Sequence, residues 1–195
     1  KPEWTALVVP ADSTLTAVAD LKGKKIAATK GTDPYFFLLR SLNEAGLTGS
    51  DVEVVNLQHA DGRVALERGE VDAWAGLDPH MAASELEAGS KLLYRNIDFN
   101  TYGFLNAREA FITQYPELAA TVIEQYERAR QWIIDNPDDA ATILAEEAKI
   151  KPEVAQRELF ERTVLDIDPV PGDTQIEVLE AVIPIMVSEN QVKPD

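Results

Sequence analysis

The chain has 195 residues, with 34 acidic against 18 basic side chains, a net charge of −16 and no cysteine. So acidic a surface repels phosphate backbones, which argues against nucleic-acid binding, and the lack of cysteine excludes thiol catalysis, disulfides and thiolate-ligated zinc. A hydrophobic content of 45% with 27% charged residues suits a folded globular chain, and no apolar run approaches the roughly 18 residues of a membrane span.

In chain order, residues 4–10 are an apolar run ending in Pro10 and predict a strand, and residues 17–21 predict a single helical turn. Residues 24–28 lie between Gly23 and Gly31 and predict a short buried strand. Thr32 and Asp33 are capping residue types and Pro34 suits the first helical position. Beyond them Tyr35, Leu38, Leu39 and Leu42 keep a 3.6-residue period, so a helix is expected from Pro34. Strands are expected at 51–57, 71–76 and 92–94, and helices at 61–68 and from 78 to about 88. This alternation predicts parallel βαβ units. Residues 102–106 read as one more strand, after which helices are expected at 117–136, 138–148, 152–163 and 174–190, the last kinked at Pro184. Leu118, Val122, Tyr126, Ala129 and Ile133 form one stripe and, with Trp132, are expected in a core. The change of character near residues 98–101 marks the boundary between an α/β lobe and a helical part.

One echo points to function. Asp33-Pro34 and Asp78-Pro79 are both strand-to-helix corners. Parallel strands with such exits aim two helix N-termini, with their unbonded amides and positive dipole ends, into one crevice where small anions bind. Either aspartate alone is an ordinary helix cap, so the convergence of the pair carries the functional reading. Trp74, just before the second corner, faces either core or crevice. Other chemistry is missing: there is no phosphate-binding glycine loop, no serine elbow and no His-Glu-x-x-His. His59 and His80 lack the partners of a metal set and read as surface or cleft-edge side chains. Asp166, Asp168 and Asp173 fail as a calcium loop because Val170 and Pro171 stand where an oxygen ligand and a glycine belong. Among catalytic residue types the expected crevice offers Asp33, Asp78 and Tyr35, with neither histidine nor cysteine.

The segments VADLKGKKIAATKGTDPYFFLLRSLNEAGL, ERGEVDAWAGLDPHMA and YPELAATVIEQYERARQWIIDNPDDAATILAEEA, in that order, resemble the solute-binding proteins of ABC importers for aliphatic sulfonates, taurine and nitrate. The resemblance implies an α/β fold of the type II periplasmic binding protein kind, with one complete α/β lobe at 14–99. Residues 1–13 and 100–195 would form part of a second, mainly helical lobe, joined through hinge strands near 8–13 and 100–105. It further implies a periplasmic or membrane-anchored extracytoplasmic protein that is not an enzyme, needs no cofactor or metal, and works with a membrane permease. The small-molecule ligand is expected at Lys30, Gly31, Thr32, Asp33 and Tyr35, at Trp74, Gly76 and Asp78, and at Tyr102. The family pattern begins before Lys1, so a further segment of the same lobe is expected to complete the cleft. If the Asp33 carboxylate caps the amides of Tyr35 or Phe36, it subtracts from the positive potential and favours a zwitterion or a heterocycle. The alternative on the same fold is a pyrimidine or thiamine-precursor binding protein or enzyme. A regulator's effector domain is disfavoured by the chain's acidity.

Overall fold

A computed structural model describes residues 1–189, 192 and 193. Five short strands make one mixed sheet: β1 (Thr5–Val9), β2 (Lys25–Ala28), β3 (Glu53–Asn56), β4 (Ala73–Leu77) and β5 (Lys91–Tyr94), in the order β3-β2-β4-β1-β5. β2 lies parallel to β3, with Ile26 opposite Val54, and parallel to β4, with Ala27 opposite Trp74. β1 runs antiparallel to β4 and β5. The expectation of parallel units therefore holds for β2, β3 and β4 and fails at β1, which enters the middle of the sheet from the opposite end.

Side chains alternate across the sheet with a period of two, and both faces are covered. On one face Leu7, Val9, Ile26, Ala28, Ala73 and Ala75 pack against Phe36, Phe37, Leu38 and Leu42 of α1 (Asp33–Glu44) and Val182 of α8 (Asp173–Ser188). On the other, Ala6, Val8, Ala27 and Trp74 meet Ala65 and Leu66 of α2 (His59–Glu67) and Met81 of α3 (His80–Ala88). The helical half continues with α4 (Glu109–Gln114), α5 (Pro116–Asp135), α6 (Pro137–Ala148) and α7 (Pro152–Arg157), which ends in a π turn over Glu158–Arg162. Among the described residues no helix is long and apolar enough to cross a membrane.

Several sequence expectations are corrected. Residues 5–9, expected to belong to the second lobe up to residue 13, form a strand buried throughout and paired between β4 and β5 in the one sheet. Residues 100–108, including the strand expected at 102–106, are irregular, because no sheet strand pairs with them. The expected core stripe of α5 faces outward: no α5 residue is buried, Tyr126 is 60% exposed and Trp132 41%. Only its C-terminal end, at Ile133, packs on Ala140, Ala141 and Leu159. α8 stops at Ser188, with Pro184 inside it; the predicted end at Asn190 lies outside the described residues.

Candidate ligand-binding site

Because β2, β3 and β4 run in one direction, their carboxyl ends share one edge of the sheet, and α1, α2 and α3 all start there. The edge is also where the chain enters and leaves the lobe. Thr5 at the start of β1 lies opposite Leu77 at the end of β4, and Leu7 lies opposite Tyr94 at the end of β5. The entering and leaving segments are fastened together where the Asn100 side-chain amide donates to the Pro2 carbonyl oxygen at 3.0 Å, and the entering segment is tied to the end of β4 where the Asp78 amide donates to the Trp4 carbonyl oxygen at 3.0 Å. The carboxyl edge of parallel strands, with its helix starts, is where open α/β sheets bind ligands.

At the β2–α1 corner, Gly31 takes a positive φ of 79°, which a glycine adopts freely. Thr32 is the N-cap, but its hydroxyl donates back to the Thr29 carbonyl oxygen at 2.6 Å. The amides of Tyr35 and Phe36 are taken by the Thr32 carbonyl oxygen at 3.0 and 3.1 Å, so the Asp33 carboxylate does not cap them. It accepts instead from the Thr101 hydroxyl and thereby ties α1 to the leaving segment. Burial holds the Asp33 carboxyl above its usual range, and the Thr101 hydrogen bond opposes the shift. Lys30 is exposed, its amide donating to Asn56 Oδ1, and Tyr102 is half-buried directly after Thr101.

Four expected ligand residues do other work. Tyr35 has its ring in the core and its hydroxyl donates to Glu189 of the segment following α8; burial and the Glu189 carboxylate raise its pKa. Trp74 is fully buried beneath α2, so close that a Cβ at Gly62 would lie 2.7 Å from its Nε1. Gly76 is a packing position, since a Cβ there would lie 2.8 Å from Val8 Cγ2. Asp78 is buried: its Oδ1 accepts from the Ala82 amide at 2.8 Å, and its Oδ2 sits 3.9 Å from Arg162 Nη1 without a hydrogen bond.

Asp78 thus links the first turn of α3 to the π turn. Arg162, 4% exposed, donates to Glu85 Oε2 at 2.7 Å while its carbonyl oxygen accepts from the Glu3 amide. Burial pushes the Asp78 carboxyl up to about 6 against the pull of Arg162. Burial and the nearby Asp78 charge push Glu158 to about 7.

The sequence analysis left out of the ligand set both the third corner, β3 into α2, with its His59, and His80 at the β4–α3 corner; it read the two histidines as surface or cleft-edge side chains. His59 and His80 are the first residues of α2 and α3 at this edge. Thr29 Oγ1 lies 3.2 Å from His59 Nδ1 and donates to the Leu57 carbonyl oxygen at 2.7 Å. Burial and the neighbouring His80 hold His59 below its ordinary pKa; burial and Arg63 do the same to His80. The available signal was position, each histidine following a short apolar strand within three residues. No Asp-Pro pair marks the β3–α2 corner. Among the described residues no group of three His, Cys, Asp or Glu side chains is placed to hold a metal. A cavity of about 570 Å³ lies away from this edge, between the C-terminal half of α1 and α8, lined by Leu39, Arg40, Leu47, Phe99 and Ile185.

Against known proteins, a profile of the NMT1/THI5-like family matches residues 2–140. The chain belongs to this family. Over all 195 residues this NMT1/THI5-like chain is 30% identical to an Escherichia coli K12 protein named for binding aliphatic sulfonates, and it covers 60% of that protein. The crystal structure of the periplasmic aliphatic sulphonate binding protein SsuA from Escherichia coli superimposes with a TM-score of 0.87 at 28% identity, over 99% of this chain and 63% of that one. The alkanesulfonate-binding protein SsuA from Xanthomonas axonopodis pv. citri bound to MOPS gives 0.84 at 28% identity, over 100% and 67%. The NMT1/THI5-like chain thus has the α/β fold of these periplasmic binding proteins and spans about three fifths of the length of its Escherichia coli relative.

Proposed function

We propose that the chain is the ligand-capturing part of an extracytoplasmic solute-binding component of an ABC importer, holding a small organic anion or zwitterion, an aliphatic sulfonate or taurine-like compound, between two lobes. One observation carries this reading: three helix starts and both chain crossings lie on one sheet edge, so a ligand there touches one lobe and the connections to the other. The likeness to proteins named for binding sulfonates supports the ligand class. The contacts fall to Lys30, Gly31 and Thr32 on the β2–α1 corner, to the Asp33–Thr101 pair and to Tyr102. A membrane permease is the partner for release. A further segment of the second lobe covers the apolar face of α5, in keeping with the greater length of the relatives.

The site binds without turning its ligand over. The hydroxyl beside His59 gives its proton to the Leu57 carbonyl, so the imidazole does not activate Thr29 as a nucleophile. A pyrimidine is the weaker reading, because Trp74 and Tyr35, two aromatic rings of the expected ligand set that could stack on a flat ring, are buried in the core. Thermal unfolding with alkanesulfonates, taurine, nitrate and pyrimidines tests the proposal. Sulfonates are expected to raise the melting temperature by mass action. Time-dependent loss of a bound compound, or a shift given by pyrimidines alone, overturns it.

A further inference from the structure

The Thr29 hydroxyl has a single proton and two neighbours. It donates to the Leu57 carbonyl oxygen at 2.7 Å, which can only accept. Toward His59 Nδ1, at 3.2 Å, the hydroxyl oxygen is therefore the acceptor, and the network assigns the imidazole proton to Nδ1. The opposite ring nitrogen, Nε2, makes no hydrogen bond among the described residues and is not closed off from solvent. In the neutral ring it presents a lone pair.

His59 stays neutral near pH 7, since burial and His80 both disfavour its cation. The charged groups around it are accounted for. His80 faces it from α3 and is itself held down by burial and by Arg63, whose guanidinium is engaged by Glu67 and Glu87. The β2–α1 corner contributes Lys30 and Asp33, the latter bonded to Thr101, and α2 contributes Asp61.

Resting on the transport reading above, we infer that His59 is a specificity residue of the crevice: with its proton fixed on Nδ1 by Thr29, it offers Nε2 as an acceptor and selects anions that also carry an N–H donor. An aminosulfonate-type zwitterion meets that demand. An alkanesulfonate of the same size does not, and it leaves the Nε2 lone pair unmatched once water is excluded. Protonation of the ring reverses the preference, because Nε2 then becomes a donor and the imidazolium repels an ammonium group.

Calorimetric titration with 2-aminoethanesulfonate and propane-1-sulfonate, which differ by an ammonium in place of a methyl group, tests this at about pH 7.5 and pH 5. The protein is expected to prefer the aminosulfonate by about ten-fold at the higher pH. That preference should fall at the lower pH to the extent that the imidazole nitrogen resonances show the ring taking its second proton. In His59→Phe the ratio should be near one at both. In Thr29→Val, which keeps the ring but removes its acceptor, the ratio should fall and the imidazole nitrogen resonances should show proton on Nε2. The same resonances in the unaltered protein read the tautomer without any variant, and a proton on Nε2 at pH 7.5 overturns the inference. So does a ratio near one when both sulfonates bind, or a ratio unchanged in His59→Phe. Failure of both sulfonates to bind overturns the transport reading and this inference with it.

Discussion

Replacing Asp78 by asparagine isolates the effect of burying its charge. The variant keeps the Oδ1 acceptor for the Ala82 amide and removes the carboxylate that faces Arg162 at 3.9 Å. Burial holds the Asp78 carboxyl at about 6, against an ordinary value of 3.8. The folded protein therefore keeps this proton longer than the unfolded chain does, so the associated stability is complete below about pH 3.8 and is lost as pH rises through about 6. A shift of about two units corresponds to about 3 kcal/mol in all, of which about 2 kcal/mol falls between pH 4.5 and 7.5. Urea unfolding followed by circular dichroism at these two pH values, on both proteins, gives the quantity of interest as a double difference in which the many surface acids cancel. The substitution also sets an amide near Arg162, so absolute stability at one pH is not the readout. The unaltered protein should lose about 2 kcal/mol more than Asp78→Asn on going to the higher pH. An equal loss in both would refute the burial of this charge.

Two further substitutions probe packing. Gly62→Ala drives a methyl group to 2.7 Å from Trp74 Nε1 and should cost about 1–3 kcal/mol, read from the urea midpoint by circular dichroism; no change would mean that α2 sits farther from the sheet. Tyr35→Phe keeps the ring in the core and removes the hydroxyl that donates to Glu189, so a loss of about 1 kcal/mol in chemical unfolding is expected, and none at all would show that the contact contributes nothing to folding.

The corners were legible in the sequence because their chemistry is local. The Pro34 region, the glycine turns and the period of Tyr35, Leu38 and Leu42 all act within one turn of chain, and α1 begins within one residue of its expected start. What each side chain at the edge touches was not legible. Whether Asp33 caps its own helix or reaches Thr101, and whether Asp78 meets a ligand or Arg162, depends on partners far along the chain that no spacing rule connects. Trp74 was undecided for a related reason. In a sheet covered on both faces, successive residues are buried alike, so the alternation that separates inside from outside in a half-exposed strand is absent. His59 escaped because strand order, not sequence, brings β3 beside β2 and so places a third helix start at the same edge.

The stripe on α5 separates the period of a helix from its packing. Leu118, Val122 and Tyr126 repeat every four residues, as in a buried helix, yet Leu118 is 51% and Tyr126 60% exposed. A period of this kind shows that one face is apolar; it does not say what covers it. In the two-lobed protein proposed above, that face lies under the rest of the lobe, where burying a leucine side chain contributes about 1.5–3 kcal/mol. Leu118→Gln is a clean probe, because the two residues have similar helix propensity. In the 195-residue chain the change should stay within about 0.5 kcal/mol, as for an exposed position. In a longer protein carrying the rest of the lobe, it should cost about 2 kcal/mol or more. Unfolding both proteins in urea, with and without the substitution, measures the difference. Equally small losses would mean that the stripe faces solvent in the longer protein as well, and the second lobe would then have to be completed on another surface.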